Sequence, residues 1–316
     1  MRSTAADQRV DTQGSVTSPL SRLSPQTIQD CYDNLLIKPI RRGKPRKSKA
    51  PSGKGDLHSL SRTTVRHIAN LLHLALKDAV KRALIARNPV DQTEPPSRET
   101  KTPTILTPEQ LRIFLEDARA NAPIYLYALY VTKSMTGMPF GELLGARETD
   151  LDLEHGVVIV EQTLKRPGPQ AAFGKPKTPR SRRAVTLPVE VVDALRQLRR
   201  WKIEQKLRLG PKFRDYGLVF CLPSGRPMHP NNIRRRDLYP RLERLGLPRI
   251  RPHDLRHTHG TQLIAAGVDH RTVADRLGHS SPAFTMSVYV HGVSESQRRA
   301  AETATTLLLP SRGSAR

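Results

Sequence analysis

The chain has 316 residues, which is long enough for two domains with a substantial hydrophobic core. Its 53 Lys and Arg residues outnumber its 29 Asp and Glu residues, so the net charge is +24 and the isoelectric point is near 10.8. The basic residues are spread along the chain, which favours a protein that binds a polyanion such as nucleic acid over one with only basic disordered tails.

Cysteine content and hydropathy indicate the compartment. Cys31 and Cys221 lie far apart in the sequence, so we expect reduced thiols and no disulfide framework. No apolar run reaches the roughly 18 residues of a membrane span, and the polar N-terminus is unlike a signal peptide. We therefore expect a soluble, cytoplasmic protein without a membrane partner.

The first part of the chain predicts a small helical domain. Residues 1–20 are polar without periodicity and are predicted to be disordered, whereas residues 21–95 contain two amphipathic patterns. Between those patterns, residues 41–56 form a basic segment rich in Pro, Gly and Ser, which we interpret as a solvated loop. The second pattern begins at Ser61 and extends its apolar face to Leu84. Its basic face includes Arg66 and Lys77, and such a face either lies on DNA or keeps the helix soluble.

A proline-rich linker, residues 96–106, separates this domain from a larger one, residues 107–300, with a tail over 301–316. Thr107 begins a capping box, TPEQ. The nearly apolar helix IYLYALYVTKSM follows and ends at Gly137, and the next helix begins near Pro139.

From Leu151 the hydrophobic period changes to that of strands. VVIVE, the segment around Gln162–Leu164 and AVTLP predict a three-stranded antiparallel sheet, with a basic loop joining the last two strands. Such a loop can follow a nucleic-acid backbone. Its candidate DNA contacts are Lys175, Arg180, Arg182 and Arg183. Helices before and after the strands indicate the α+β class.

Residues 253–291 carry the residues with the most chemical potential. A helix is predicted to begin at Pro252, and Gly267 ends it. Asp269 can cap a second helix that ends at Gly278, and a third helix starts near Ser281. Because the chain can fold back at each glycine, residues on all three helices can meet. These residues are His253, Arg256, His279 and Tyr289.

Together these side chains suit the chemistry of a phosphodiester. A tyrosine attacks covalently when cations and a base surround it, an arginine binds two phosphate oxygens with its planar fork, and a histidine donates to phosphate or moves protons. The predicted reaction is attack of Tyr289 on phosphorus. It requires no metal and no nucleotide cofactor, and the chain has no Walker-type glycine loop.

Several segments resemble tyrosine recombinases of the phage integrase family. PHDLRHTHGTQLIAAGV, DRLGHSS and TMSVYVHG are similar to the family's C-terminal signature. TGMPFGELLGARETDLDLE is similar to its first catalytic box, and PKTPRSRRAVTLP to its lysine-bearing hairpin. SRTTVRHIANLLHLALKDAVKRALIARNPV resembles the end of its helical core-binding domain. The resemblance covers about residues 24–300.

The resemblance implies a partial SAM-like core-binding domain followed by a mainly helical catalytic domain. It further implies site-specific integration or excision of a mobile element through a 3′-phosphotyrosyl intermediate, by a homo-oligomer on attachment-type sites of double-stranded DNA. Tyr289 would be the nucleophile and Arg256 the phosphate clamp, while His253 and His279 would bind phosphate or transfer protons. Lys177 would protonate the leaving 5′-hydroxyl, with Lys175 as the less favoured substitute.

Two departures from the family pattern lead to further expectations. Pro139 stands where the first catalytic box has an arginine, although Glu142 of that box is present. Losing one donor to a developing oxyanion costs about 10²–10³ in rate, so we expect impaired catalysis. The first helix of the core-binding domain and an arm-binding domain find no counterpart in the sequence, so we expect a weaker grip on DNA.

Other interpretations stay open at this point. A catalytically inactive DNA-binding protein with the same fold is the main alternative, and a topoisomerase with the same chemistry is another. A zinc hydrolase is disfavoured because HDLRH has Asp254 where the metal motif needs glutamate. The segment Leu307 to Leu309 would dock on a neighbouring protomer or pack within its own chain.

Overall fold

The computed structural model describes residues 20, 23–37, 59–98, 103–168, 170–176 and 181–278. The chain divides into two compact units, Met1–Thr102 and Pro103–Arg316. The division falls within the proline-rich segment that we interpreted as a linker. Each unit is described by itself.

The first unit is built from helix α1 (Pro25–Ile37), helix α2 (Arg62–Lys81) and a 3₁₀ turn (Pro89–Gln92). The Ser61 side chain accepts a hydrogen bond from the Thr64 amide and so caps α2. The buried residues share one small core, because the apolar faces of both helices and the turn converge. They are Ile28, Tyr32, Val65, Ala69, Leu76 and Val90.

Helix α2 is shorter than its apolar pattern predicts. It ends at Lys81, and Ala83 then takes a positive φ of 57°, which breaks the helical repeat. Leu84, predicted as part of the apolar face, is 62% exposed as a result. The prediction that the face reaches Leu84 is therefore wrong.

The second unit has a helical core. It begins with α3 (Pro108–Asn121), α4 (Ile124–Thr136) and α5 (Phe140–Gly145) and continues after the strands with α6 (Val189–Leu209). The predicted capping box is confirmed: Thr107 accepts from the Gln110 amide, and the Gln110 side chain accepts from the Thr107 amide. Helix α4 is buried along most of its length, as its apolar sequence predicts, and packs against α3, α6 and α9.

The C-terminal described part consists of α7 (Pro230–Ile233), a π-helical turn (Arg234–Leu238), α8 (Tyr239–Arg244), α9 (Asp254–Ala265) and α10 (His270–Leu277). Asp269 caps α10 as predicted, accepting from the amides of Arg271 and Thr272. Within the described ranges, no helix has the length and apolar character that a membrane crossing requires.

Short strands follow α5, and those in the described residues are β1 (Leu151–Asp152), β2 (Val157–Ile159), β3 (Thr163–Arg166), β4 (Ala172–Gly174) and β5 (Ala184–Thr186). The three-stranded antiparallel sheet has the order β1-β2-β5, while β3 and β4 form a separate antiparallel hairpin. The α+β class is confirmed. Our assignment of the Gln162–Leu164 segment to the three-stranded sheet is wrong, and part of the predicted basic loop is strand β4.

Two glycines explain why β3 leaves the sheet. A Cβ on Gly141 would come within 2.7 Å of Thr163 Oγ1, and one on Gly145 within 2.8 Å of the Leu164 amide nitrogen. Helix α5 therefore lies directly on the backbone of β3, at a separation that no larger residue permits. This contact fixes α5, which carries Glu142.

Candidate functional site

The candidate site forms around the turn between α4 and α5. Gly137 ends α4 with a φ of 65°, and a Cβ there would approach Leu277 Cδ2 to 2.5 Å and His259 Cδ2 to 2.9 Å. Only glycine allows this turn against α9 and α10. Arg256 Nη1 donates to the Gly137 carbonyl oxygen at 2.8 Å, and Arg256 is only 4% exposed. The phosphate clamp predicted from sequence is thus attached to the turn that contains Pro139.

Lys133 reaches the same turn from inside α4. Its side chain is fully buried, and Lys133 Nζ donates to the Met138 carbonyl oxygen. The pKa of Lys133 is well below its ordinary value, first because burial disfavours the ammonium and second because Arg256 is nearby. The consecutive carbonyls of Gly137 and Met138 are therefore held by two different basic side chains, immediately before Pro139.

Glu142, one turn into α5, pairs with Arg183. Arg183 Nη1 lies 3.0 Å from Glu142 Oε2, and both side chains are about nine-tenths buried. Burial raises the pKa of Glu142, and the charge of Arg183 opposes that rise. Arg183 Nε also donates to the Arg276 carbonyl oxygen, and a Cβ on Gly278 would meet Arg183 Nη1 at 2.7 Å. Arg183 thus lies between α5 and the turn that precedes His279.

Positive charge exceeds negative charge in this cluster. Lys133, Arg183 and Arg256 are buried with a single carboxylate, that of Glu142, among the described residues that shift the pKa of Lys133. In addition, Arg183 Nη2 is buried without a hydrogen-bond partner in the described part of the chain. A buried donor without a partner and an excess of buried cations are costly unless an anion completes the site. The arrangement suits a phosphate group.

His253 stands at the N-terminal end of α9, next to this cluster. The residue is exposed to solvent, and its ring meets that of His257 edge to face at 4.8 Å between centroids. Desolvation by the protein and the proximity of Lys133 lower the pKa of the His253 imidazole. The imidazole is therefore neutral near pH 7 and can accept or donate a proton.

Two side chains, one from α9 and one from α10, connect the helices that lie behind Arg256. Arg276 Nε donates to His259 Nε2 at 3.3 Å, and Arg276 Nη2 donates to the carbonyl oxygens of Met135 and Thr186. Burial lowers the pKa of His259 to about 4, so its ring is neutral and can accept from the guanidinium. Helices α4, α9 and α10 and strand β5 are thereby joined behind Arg256.

The structure brings together some of the residues predicted from sequence. Arg256 and His253 adjoin the α4–α5 turn, whereas the predictions for Lys177, Arg180, His279 and Tyr289 fall outside the described residues, as does the segment Leu307 to Leu309. Of the candidate DNA contacts, Lys77 and Lys175 are exposed, and Arg66 donates to the Pro96 carbonyl oxygen at 3.2 Å.

The two adjacent arginines after the basic hairpin differ from each other. Arg182 is exposed and pairs with Glu161. Arg183 was predicted to contact DNA from an exposed loop, but its side chain is buried against Glu142. Arg183 precedes β5 by one residue, and its side chain points toward the domain interior; its role as a DNA contact stays a prediction.

Sequence reasoning missed Lys133 and Arg276. Lys133 lies in a helix that we interpreted only as an apolar spine, and a charged residue in such a helix is itself a signal, since lysine is seldom fully buried. Arg276 gave no comparable signal because it looks like one more basic residue of an exposed helix. Within the described ranges, no cluster of His, Cys, Asp or Glu side chains could hold a metal ion.

Comparison with known proteins identifies the family. Residues 104–295 match the phage integrase family, which is more than half of the chain, so the chain belongs to that family. It is 28% identical over 269 residues to a tyrosine recombinase XerC-like protein of Caldanaerobacter subterraneus subsp. tengcongensis, covering 79% of this chain and 67% of the relative. It is 29% identical over 228 residues to the integrase of Mycobacterium phage D29, covering 71% of this chain but only 57% of that integrase.

Solved structures share the fold. The integrase of transposon Tn1549, in complex with a circular intermediate DNA, superposes with a TM-score of 0.69 at 22% identity, covering 93% of this chain and 88% of that one. A lambda integrase dimer bound to a core site superposes with a TM-score of 0.57 at 16% identity, covering 88% of this chain and 67% of that one. The resemblance to tyrosine recombinases inferred from sequence is confirmed.

Proposed function

We propose that this chain carries out site-specific recombination by cleaving and rejoining double-stranded DNA. The observation that carries the proposal is the buried cationic cluster at the α4–α5 turn, where Arg256 is anchored beside an excess of positive charge. Membership of the phage integrase family supports it, as do the DNA complexes of the Tn1549 and lambda integrases.

In the proposed reaction, the scissile phosphate binds at the cationic cluster. Arg256 donates to two non-bridging oxygens, and His253 and His279 donate to the phosphate or move protons. The phenol oxygen of Tyr289 loses its proton to a neighbouring base and forms a bond to phosphorus. The bond from phosphorus to the 5′-oxygen breaks, which leaves the DNA 3′-phosphate attached to Tyr289.

Lys177 gives the departing 5′-oxygen its proton, with Lys175 as the substitute. Rejoining is the reverse step: the 5′-hydroxyl of a second strand attacks the phosphotyrosyl bond, and Tyr289 recovers its proton. One ester replaces another, so no nucleotide needs to be hydrolysed. The chain's substrates would be attachment-type sites of a mobile element, held by a homo-oligomer on DNA.

The DNA grip in this proposal comes from exposed basic residues. Lys77, Lys175 and Arg182 are exposed to solvent, and Arg180 is a further proposed DNA contact. Such side chains bind phosphates of any sequence, so binding should weaken steeply with salt. The target sequence depends on contacts with base edges, which require a bound site.

Nicked suicide duplexes test the proposal. They are tiled across the DNA that flanks the coding region, with the nick placed so that the short 5′ fragment diffuses away after cleavage. The native chain should form a protein–DNA complex that resists SDS, and Tyr289→Phe should form none while retaining gel-shift affinity. Equal SDS-resistant complex from Tyr289→Phe would contradict the assignment of the nucleophile.

A catalytically inactive DNA-binding protein is the second candidate, and Pro139 favours it because proline offers no donor at the position of the family's arginine. The same assay separates the two functions when Pro139→Arg is included. If both the native chain and Pro139→Arg bind DNA but neither forms covalent complex, the catalytic proposal is overturned. Covalent complex from the native chain rejects the inactive alternative.

A further inference from the structure

We infer that Lys133 supplies the second positive charge of the phosphate site, the charge that Pro139 leaves out, by holding the Met138 carbonyl beside Arg256. The inference rests on the proposed function. Lys133 donates to the backbone of the turn, so it is a positioning residue, and its ammonium also acts on the phosphate through space.

The position of Lys133 beside Pro139 supports the inference. Lys133 Nζ donates to the carbonyl of Met138, the residue bonded directly to Pro139. Arg256 holds the preceding carbonyl, that of Gly137, at 2.8 Å. A cation at Lys133 therefore lies at the turn from which an arginine side chain at position 139 would extend.

The balance of buried charges around Lys133 also supports the inference. Lys133 is fully buried, and among the described residues no carboxylate forms an ion pair with it; Glu142 is directed to Arg183 instead. Arg256 and Arg183 both disfavour its ammonium form. A buried lysine in such surroundings stabilises the fold poorly. An incoming phosphate would reverse the electrostatic balance and favour the charged lysine.

The hydrogen bonds of Arg183 also support the inference, because they show which groups this side chain already holds. Arg183 Nη2 is buried without a described partner, while its other nitrogens bind Glu142, Ser181 and Arg276. This guanidinium is therefore engaged in holding Glu142 and the Gly278 turn. Lys133 holds the preceding turn through the Met138 carbonyl, so its charge is the one in the described part of the chain that is left for the phosphate site.

A double-mutant cycle tests the inference, measured as single-turnover formation of the Tyr289–DNA complex at saturating duplex. Lys133→Met should slow the step about 10²-fold, the usual cost of one lost donor to a developing oxyanion. Adding Pro139→Arg to Lys133→Met should restore the rate to within about tenfold of the native chain, because an arginine at 139 returns the charge. Lys133→Met should cost much less in the Pro139→Arg background.

Lys202→Met is the matched control. Lys202 is 5% exposed and also donates to a backbone carbonyl, that of Leu218, but it pairs with Glu148. Any loss of rate in Lys202→Met should persist when Pro139→Arg is added. If Pro139→Arg rescues both lysine variants alike, or rescues neither, Lys133 has only a structural role and the inference is overturned.

The pH profile supplies a readout that packing alone would not move. The native rate should show a limb that falls with rising pH as Lys133 loses its proton, at a pH well below the usual range for lysine, and this limb should be absent from Lys133→Met combined with Pro139→Arg. Any limb due to the general acid Lys177 would be common to both proteins. The groups that face Lys133 are Glu142 on α5, Arg183 before β5, and Arg256, His253, His257 and His259 on or beside α9. An identical limb in both proteins would contradict the inference.

The outcomes are distinguishable from failure of the proposed function. If neither the native chain nor Pro139→Arg forms covalent complex, the function itself fails. If both form it and Lys133→Met has the native rate, only the role of Lys133 fails. Lys133→Gln, with thermal melting of each variant, covers the case in which Lys133→Met does not fold.

Discussion

Two buried lysines of the second unit show how the same residue serves different ends. Lys202 on α6 donates to the Leu218 carbonyl at 2.7 Å and to Glu148 at 2.9 Å, and Asp215 lies 3.7 Å away. Lys133 on α4 donates to the Met138 carbonyl and has Arg256 and Arg183 as charged neighbours. The charge of Lys202 is balanced within the chain. The ammonium form of Lys133 has no carboxylate paired with it among the described residues, so an anion bound at the α4–α5 turn would stabilise that form.

Removing the acid of the cationic cluster should have the largest effect on stability. Glu142→Ala leaves Arg183 buried without its carboxylate, which should cost about 3–5 kcal/mol of unfolding free energy. Urea denaturation measures it. The control is Glu161→Ala, whose partner Arg182 is more than half exposed and which should cost less than about 1 kcal/mol. Equal losses would show that the buried pair is not special.

Substitution of Gly137, at the left-handed turn of the site, should have the next largest effect on stability. Gly137→Ala places a Cβ 2.5 Å from Leu277 Cδ2, so it should cost about 2–4 kcal/mol and slow DNA cleavage. Gly246 has nearly the same φ, 64°, with nothing within 4 Å of a Cβ. Gly246→Ala should therefore cost only the backbone strain, about 1–2 kcal/mol. Similar thermal shifts for both variants would argue against tight packing at Gly137.

Lowering the pH should reduce the free energy of unfolding, because His259 is buried in its neutral form. Its pKa is about 4 in the folded chain, against about 6.5 when unfolded, so its stabilising effect is complete above about pH 7 and is lost as pH falls toward 4. Between pH 7 and 5 it should account for about 2 kcal/mol. Urea denaturation at both values should show a smaller pH effect in His259→Gln than in the native chain. An unchanged effect in His259→Gln would contradict this account.

The smallest expected effects on stability come from replacing the two buried lysines, and they should differ between the two. Lys202→Met removes a donor to Leu218 and two ion pairs with partly exposed carboxylates, so it should cost about 1–2 kcal/mol. Lys133→Met exchanges an unbalanced buried charge for an apolar chain and should change stability by less than about 1 kcal/mol. Differential scanning calorimetry compares them. A larger loss for Lys133→Met would mean that its charge is already balanced in the fold.

Sequence reasoning reached the family, the α+β class, most helix ends and the residues around Arg256, because glycines, caps and the HxxR pattern are local signals. It failed where long-range packing decides. Strand β3 pairs with β4 because Gly141 and Gly145 bring α5 onto it, and no local pattern shows that contact. Arg183 looked like a loop residue until the start of β5 set its direction. The residues around Tyr289 lie outside those described, so their roles stay predictions.

One measurement tests the catalytic claim most directly. After trapping on a suicide duplex, the complex is digested with trypsin and nuclease, and the adduct is located by tandem mass spectrometry. Peptide 277–298 contains a single tyrosine, Tyr289. We expect a nucleotide 3′-phosphate on that residue in the native chain. An adduct on any other residue, or none in a chain that binds the duplex, would contradict the account.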